Sequence, residues 1–546
     1  MNKQLLKIVL VGIVSCCLIG STEKNNASAE ENHPVTTAEN RTAINKGVDF
    51  ERSRRWIDAI NHYEKSLKTW SQSKPLQYGL RRSKIHFGIE RRYADESFEN
   101  QLLSKSRYSS LVLFDEILSR VRRSYVQQIS STSFVAHGTE SLYLALSNPK
   151  FLKKNLPEVS AERVAKLRKI LREQYWNKPI QNQTDARRVV ETVCNTAYST
   201  TGLSASTVVM EYIFGGCNSL DDYSHYLSPN RLKDLYGNIE GEFVGLGIEM
   251  KEAKGKGMLL VNIIPDSPAE EGGMKAGERI VAVDGVDCRN MTTDEAAKLL
   301  RGLSGSRVRL RLVSRGSEEE RVSTFTRRAV LVKSIPVVKM VDRRSGVGYI
   351  QMTGFQKSSA AELDAALAKL KSQGMTALIW DLRGNPGGLL TASVEVLDRF
   401  ISDGVIVSTK GRTQDQNWSY SARRIGTHHM PLVVLVDGDS ASASEIVSGA
   451  VKDHRRGKIV GRQTYGKWSV QSILPIRGNT GLRLTTAKFY SPKGRNYSKV
   501  GIKPDVIVEK EEEENFVHSI EDLTPEKDDD IRKGVELLNS QLARRK

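Results

Sequence analysis

Residues 431–454 read PLVVLVDGDSASASEIVSGAVKDH. Six apolar residues come first. Asp437-Gly438-Asp439 then breaks the run, three serines alternate with alanines, and apolar residues return at helical spacing. The pattern is strand, turn, helix. The strand does not alternate polar with apolar, which fits a largely buried sheet. The serines sit at a helix N-terminus, where backbone N–H groups are unpaired and the dipole favours negative charge. Such a position suits an N-cap first, and also a nucleophile whose oxyanion the N–H groups would stabilise. Position alone does not choose between these roles, or among Ser440, Ser442 and Ser444.

A serine nucleophile needs a base. His454 ends the same helix, more than ~15 Å from its start at 1.5 Å rise per residue, and His428 and His429 precede the strand at its far end. No histidine is well placed, and GDSAS departs from the G-x-S-x-G elbow because Ser442 stands at the last glycine position. A lysine can serve if desolvation keeps it neutral. The candidate is Lys467 in GRQTYGKWSVQ (461–471), with Tyr465 and Trp468 as an apolar wall and Gln471 as an uncharged orienting amide. WDLRGNPGGLL (380–390) is a second strand-to-helix turn, whose Gly387 and Gly388 allow close backbone approach to an oxyanion.

Other runs extend the pattern. VGYIQM, ALIWDLRG and GKIVGRQT are β-type, and AAELDAALAKLKSQ and LLTASVEVLDRFI are helical, so residues 335–508 read as βα units around a buried sheet. Upstream, GEFVGLGIEM, GMLLVNII, ERIVAVDG and RVRLRLVSR are short β-runs between glycines and prolines. The helix TTDEAAKLLRGL (292–303) lies among them, with Thr292 and Glu295 spaced for a capping box. In this module the loop Val244-Gly245-Leu246-Gly247-Ile248 can offer successive N–H groups to a peptide's C-terminal carboxylate, while the next strand pairs with the peptide.

Residues 49–238 are poor in glycine and helical in period. WIDAINHYEKSLKTW followed by PLQYGLRRSKIHF resembles a single tetratricopeptide-type helix pair, with Trp56, Ala59, Tyr63 and Leu67 on one face; an ordinary helical hairpin fits as well. LFDEILSRVRRSYV (113–126) and AERVAKLRKILREQYW (161–176) are amphipathic helices. Residues 30–48 read as a polar linker, and 509–546 as an acidic tail with a terminal helix over DDDIRKGVELLNSQL.

The 546 residues are too many for one core. The net charge of +18 is diffuse: residues 51–130 carry sixteen Lys and Arg against nine Asp and Glu. With no nucleic-acid motif, this favours weak contact with an anionic lipid or cell-wall surface over a nucleic-acid partner. The N-terminus joins a basic segment, MNKQLLK, to thirteen apolar residues, IVLVGIVSCCLIG, which is short for a span and right for an export signal. Ala27-Ser28-Ala29 fits cleavage before Glu30, whereas Ile13-Val14-Ser15-Cys16 resembles a lipoprotein box that would anchor the chain through Cys16. Of five cysteines, Cys194, Cys217 and Cys288 lie beyond the signal: Cys194 and Cys217 can pair in an oxidising compartment, or all three are buried thiols. Without CxxC or HxxxH spacing no metal site is expected.

These pieces, in this order, resemble the carboxyl-terminal processing proteases, tail-specific serine peptidases of family S41 with a PDZ domain. The resemblance covers the module at 239–330, the region 335–508, and LFDEILSRVRRSYV and DDYSHYLSPNRLKDLYGNIEGEF before it; 150–215 reads as an insertion and 50–90 as an addition. It implies an α+β multidomain fold: a helical N-terminal region, a PDZ module and an α/β peptidase core of crotonase-like ββα type. It implies Ser442 as nucleophile, Lys467 as base, Gln471 as orienting amide and Glu445 in a supporting role. An oxyanion hole from Gly387 or Gly388 with Ala443 is implied too, and no cofactor. It also implies export to the periplasm or envelope, and protein substrates with unstructured C-termini. Two residues depart from the pattern: Trp468, where glycine is usual, would narrow the site or shift Lys467, and Asp439 would raise the lysine's pKa if it pointed inward. The rival reading is a catalytically inactive PDZ scaffold of the envelope.

Overall fold

The computed structural model describes residues 9–11, 38–509 apart from 303, 318, 424 and 425, and 523–544. Both signal-exit motifs, at 13–16 and 27–29, lie outside the described residues, as does the acidic run beyond Glu509.

The expected linker ends early, because Ala38–Arg52 is a helix. Ala43 and Gly47 form its buried face, and a Cβ on Gly47 would stand 2.2 Å from the Tyr63 ring. A face made of small residues gives almost no hydrophobic signal. The expected helix pair, Trp56–Thr69 and Lys74–Arg92, thus belongs to a three-helix unit around Ala43, Ala59, Tyr63 and Leu76. The stretch read as an insertion is central. Its last helix, Ala205–Cys217, is buried almost throughout and packs on Ser131–Ala145. The backbones meet closely, since a Cβ on Gly215 would lie 2.6 Å from the His137 carbonyl oxygen. Cys194, Cys217 and Cys288 are buried free thiols, so the contemplated disulfide is not formed; burial pushes the first two up to about 12.

In the β-rich module the helix Thr293–Leu300 starts at the expected capping box. The Glu295 N–H donates to Thr292 Oγ1 (3.3 Å) and the Thr292 N–H to Glu295 Oε2 (3.0 Å). The candidate carboxylate loop is a strand–turn–strand. Val244 and Gly245 pair with Ala329 and Arg328, Leu246 is buried, Gly247 turns at φ +80°, and Ile248 opens the next strand.

The C-terminal α/β domain carries two sheets. The first has the order β2 (Val337–Asp342), β3 (Val347–Gln351), β4 (Ala377–Asp381), β6 (Leu432–Val436), β7 (Lys458–Gly461), β10 (Val506–Ile507), parallel throughout except for β2. Helices α1 (Ser359–Ser372), α2 (Leu390–Leu397) and α3 (Ala443–Asp453) cover the face bearing Leu378, Trp380, Leu432 and Val434. Helix α4 (Asp529–Ala543) covers Ile379, Val433, Leu435 and Val460 on the other. Burial on both faces explains the unbroken run PLVVLV. The second sheet is antiparallel: β9 (Thr480–Tyr490) pairs with β1 (His225–Leu227), β5 (Val405–Gly411) and β8 (Ser469–Ile476). Val9–Val11 lies antiparallel between Gly388–Leu389 and Gln471–Ser472.

Candidate active site

The serine turn joins β6 to α3. Ser442 has φ +64° and ψ −110°, a conformation an L-residue occupies only under constraint, at about 1–3 kcal/mol. The constraint is visible. Ser440 Oγ donates to the Leu382 carbonyl (2.7 Å), Ser444 Oγ to the Asn385 carbonyl (2.9 Å), and the Ala441 N–H to the same Asn385 oxygen (3.0 Å). The flanking serines thus fasten this turn to the 382–388 turn. Ser442 Oγ, fully buried, makes no hydrogen bond, so it does not cap its helix.

Gly387 lies flush on the nucleophile candidate: at φ +105°, its Cβ would come 2.8 Å from Ser442 Cβ and 2.9 Å from the Ala443 nitrogen. Its N–H, however, donates to Asn385 Oδ1 (2.9 Å), while Asn385 Nδ2 donates to the Met352 carbonyl (2.8 Å). The Gly387 N–H is thus occupied in this conformation. Gly388 (φ +154°) packs so closely that a Cβ would stand 2.2 Å from the Phe355 carbonyl oxygen. Ala443 supplies the first N–H of α3. Arg383 anchors the turn from below, its guanidinium held by Asp381 (2.6 Å), Asp528 (2.9 Å) and Asp530 (2.7 Å).

Glu445 is the hub. Its Oε2 accepts from the Ser442 and Lys467 N–H groups, each at 2.8 Å. Its Oε1 accepts from Thr464 Oγ1 (2.7 Å) and the Gly466 N–H (2.8 Å). Burial raises this carboxyl above its usual range, while the four donors oppose that. The 445 carboxylate therefore fixes the two turns that carry Ser442 and Lys467.

Lys467 is buried, and its amine is pulled from 10.5 down to about 7. Burial is the main cause and the positive charge of Arg483 the next; Asp221 and Glu445 act in the opposite sense. Nζ lies 4.1 Å from the centre of the Tyr223 ring, and since Ser442 Oγ is unbonded, the hydroxyl–amine bond is not made in this conformation. Gln471 Nε2 donates to Ser469 Oγ (2.9 Å) and Thr485 Oγ1 (3.2 Å) on the β8–β9 hairpin.

The apolar wall differs from the one expected. Tyr465 is 46% exposed, and Trp468 turns into the core against Phe489 (4.5 Å) and Tyr497 (4.9 Å) beneath α3. Trp468 therefore supports the serine helix rather than narrowing the site, and Asp439 points to solvent, absent from the charges acting on Lys467. The wall is Tyr223, with Asp221 and Arg483 beside it. These three escaped sequence reasoning. They lie 244–246 residues before Lys467 and 16 after it, and no local period marks them. The only available signal was the resemblance of DDYSHYL to the family's segment before its PDZ domain. Among the described residues there is no cluster of three metal-ligating side chains.

Comparison with known proteins gives the family. Residues 346–508 match the family model "Peptidase family S41" and residues 260–314 the model "PDZ domain". A carboxy-terminal-processing protease of Bartonella bacilliformis is 38% identical over 297 residues, covering 53% of this chain and 67% of that protein. A carboxyl-terminal-processing protease of Synechocystis sp. is 32% identical over 344 residues, covering 62% of this chain and 75% of that protein. Among solved structures, the photosystem II D1 C-terminal processing protease is 26% identical, covering 73% of this chain and 93% of that chain, with a TM-score of 0.40. A buried serine at a strained strand-to-helix turn, facing a glycine turn and a lysine turn, is thus found in a chain that belongs to peptidase family S41, as a serine-type carboxyl-terminal-processing peptidase with a PDZ domain.

Proposed function

We propose that this peptidase works through a Ser442–Lys467 dyad and cleaves exported proteins at or near unstructured C-termini, which its PDZ domain binds. The observation that carries the dyad is the amine of Lys467, held near 7 by burial on the same carboxylate scaffold as the strained Ser442. A lysine that is neutral for half its time at pH 7 can take a proton.

The reaction is acyl transfer. Lys467 Nζ accepts the Ser442 Oγ proton as that oxygen attacks the scissile carbonyl. The Ala443 and Gly388 N–H groups receive the oxyanion. The Lys467 ammonium returns the proton to the leaving amine, and water, activated by the same amine, releases the acyl group from Ser442. One preorganised oxyanion donor is worth about 3–4 kcal/mol in such sites. For Nζ to reach Oγ, the Lys467 side chain must swing off Tyr223; catalytic hydrogen bonds often tighten only with substrate bound. An extended substrate fits the gap between Gly388–Leu389 and Gln471–Ser472, where Val9–Val11 pairs antiparallel with both edges. Removal of the N-terminal signal on export would leave that gap to a substrate strand.

For the PDZ domain, the turn at Leu246-Gly247 before the strand Ile248–Ala253 supports capture of a terminal carboxylate and pairing of the peptide with that strand. Export to the periplasm or envelope, with or without lipid on Cys16, rests on the N-terminal sequence. No helix among the described residues is long and apolar enough to cross a membrane. The test is cleavage of an unstructured peptide with an apolar C-terminus by the chain lacking its first 29 residues. Ser442→Ala and Lys467→Ala are each expected to abolish turnover, and full activity in either overturns the dyad. Unchanged peptide binding after Gly247→Val would remove the PDZ role.

A further inference from the structure

The β8–β9 hairpin holds a charge that the reaction above does not use. Arg483 on β9 is 8% exposed, and its Nε and Nη2 find no hydrogen-bond partner. No ion pair to it forms among the described residues. A buried guanidinium ordinarily has a carboxylate or several carbonyls around it, and leaving one unpaired costs several kcal/mol. Arg383 of the same domain, its side chain 10% exposed, has three carboxylates around it. An exception on this scale calls for a purpose.

Its neighbours supply one. Arg483 pairs across the sheet with His225 on β1 and with Ile473 on β8. Thr485, two residues on and on the same face, bonds Gln471. Tyr223, two residues before His225, lies under Lys467 Nζ at 4.1 Å. The charged and titratable groups around the amine are therefore Arg483 from β9, Asp221 and Tyr223 from the segment before β1, and Glu445 from α3.

We propose that Arg483 is a positioning residue of this peptidase: a permanent positive charge, left without a counter-ion beside Lys467, that keeps the lysine amine in its neutral, proton-accepting form. Burial alone is a fragile way to do this, because a water entering with each substrate would restore the ammonium. A fixed like charge repels the ammonium whether or not water is present. The missing hydrogen bonds are then part of the arrangement, since a carboxylate paired to Arg483 would cancel its field. Asp221 stands near enough to be felt by both cations, yet makes its bonds elsewhere, to the Tyr223 N–H (3.1 Å) and Ser224 Oγ (2.9 Å).

The inference rests on Lys467 being the base, and the two are separable. Activity surviving in Lys467→Ala would sink that reading, whereas the following experiment concerns Arg483 alone. The pH profile of kcat/KM is measured for the wild type, Arg483→Met, Arg483→Lys and Asp221→Asn, with Arg483→Gln in reserve should the methionine variant prove insoluble. Loss of the positive neighbour makes the ammonium easier to form. The acid limb should move up by about one pH unit, giving about tenfold loss at pH 6 and little loss at pH 9. Arg483→Lys keeps the charge and should keep the limb. Asp221→Asn removes a negative neighbour and should move the limb down. A folded, uncharged Arg483 variant with an unmoved limb, or with equal loss at every pH, overturns the proposal. So does an Arg483→Lys limb that follows Arg483→Met.

Discussion

The backbone N–H groups of Ser442 and Lys467 donate to one oxygen atom, Glu445 Oε2, at 2.8 Å each. The two residues are twenty-five positions apart and on different elements, yet a single carboxylate sets their separation. Glu445 is thus more than a supporting polar group. It touches no reacting atom, and it positions both of those proposed to react.

Glu445→Gln tests this. An amide offers one acceptor oxygen and puts an NH2 group against N–H donors, so at least one turn must shift. Unsatisfied buried donors cost about 1–3 kcal/mol each. Turnover should fall at least tenfold with KM little changed, and Tm should drop, as steady-state kinetics and thermal unfolding will record.

A second expectation concerns pH. Only the neutral amine of Lys467 accepts a proton, so activity should rise with pH, half-maximal at about 7. The sign is fixed: a base lowered from 10.5 loses its proton earlier, and activity is lost as pH falls through 7. A kcat/KM profile locates the limb; one centred near 10 would contradict the neutral-lysine account.

The same displacement bears on stability. The unfolded chain holds the Lys467 proton up to about 10.5 and the folded chain only to about 7, so folding is penalised below that range, and stability rises with pH between the two values. At about 1.36 kcal/mol per pH unit the penalty is on the order of 5 kcal/mol at acid pH. Lys467→Met removes it. That variant should be inactive and yet melt several degrees higher at pH 6, with a smaller gain at pH 9.

Gly387→Ala should be inactive for a different reason. Its Cβ would lie 2.8–2.9 Å from Ser442 Cβ, the Ala441 oxygen and the Ala443 nitrogen, and φ +105° suits glycine alone. Both turns would have to part. Loss of peptide cleavage should come with a fall in Tm, whereas Ser442→Ala should lose activity with its Tm kept.

Much of this site was legible because its parts are local. A strand, a turn and a helix write Ser442 into one stretch, and the glycines of 384–388 write the facing turn into another. What surrounds Lys467 was not legible. Tyr223, Asp221 and Arg483 reach it through β1 and β9, and pairing between distant strands leaves no period in the sequence. Tyr465 and Trp468, on either side of the lysine, looked like its wall, but the loop before β8 turns Tyr465 outward and Trp468 into the core. The fold misled in a similar way. Residues 38–48 read as linker because the buried face of their helix is Ala43 and Gly47, and nothing in the sequence of 150–215 shows that its last helix packs in the core.

The central claim is that Ser442 is made nucleophilic by neutral Lys467. Labelling with a serine-directed phosphonofluoridate, mapped by mass spectrometry across pH 5–10, tests it most directly. The account predicts one adduct, on Ser442, forming at a rate that rises with a midpoint near pH 7, and none in Lys467→Ala. An adduct on Ser440 or Ser444, or a Lys467→Ala variant labelled as fast as the wild type, would contradict it.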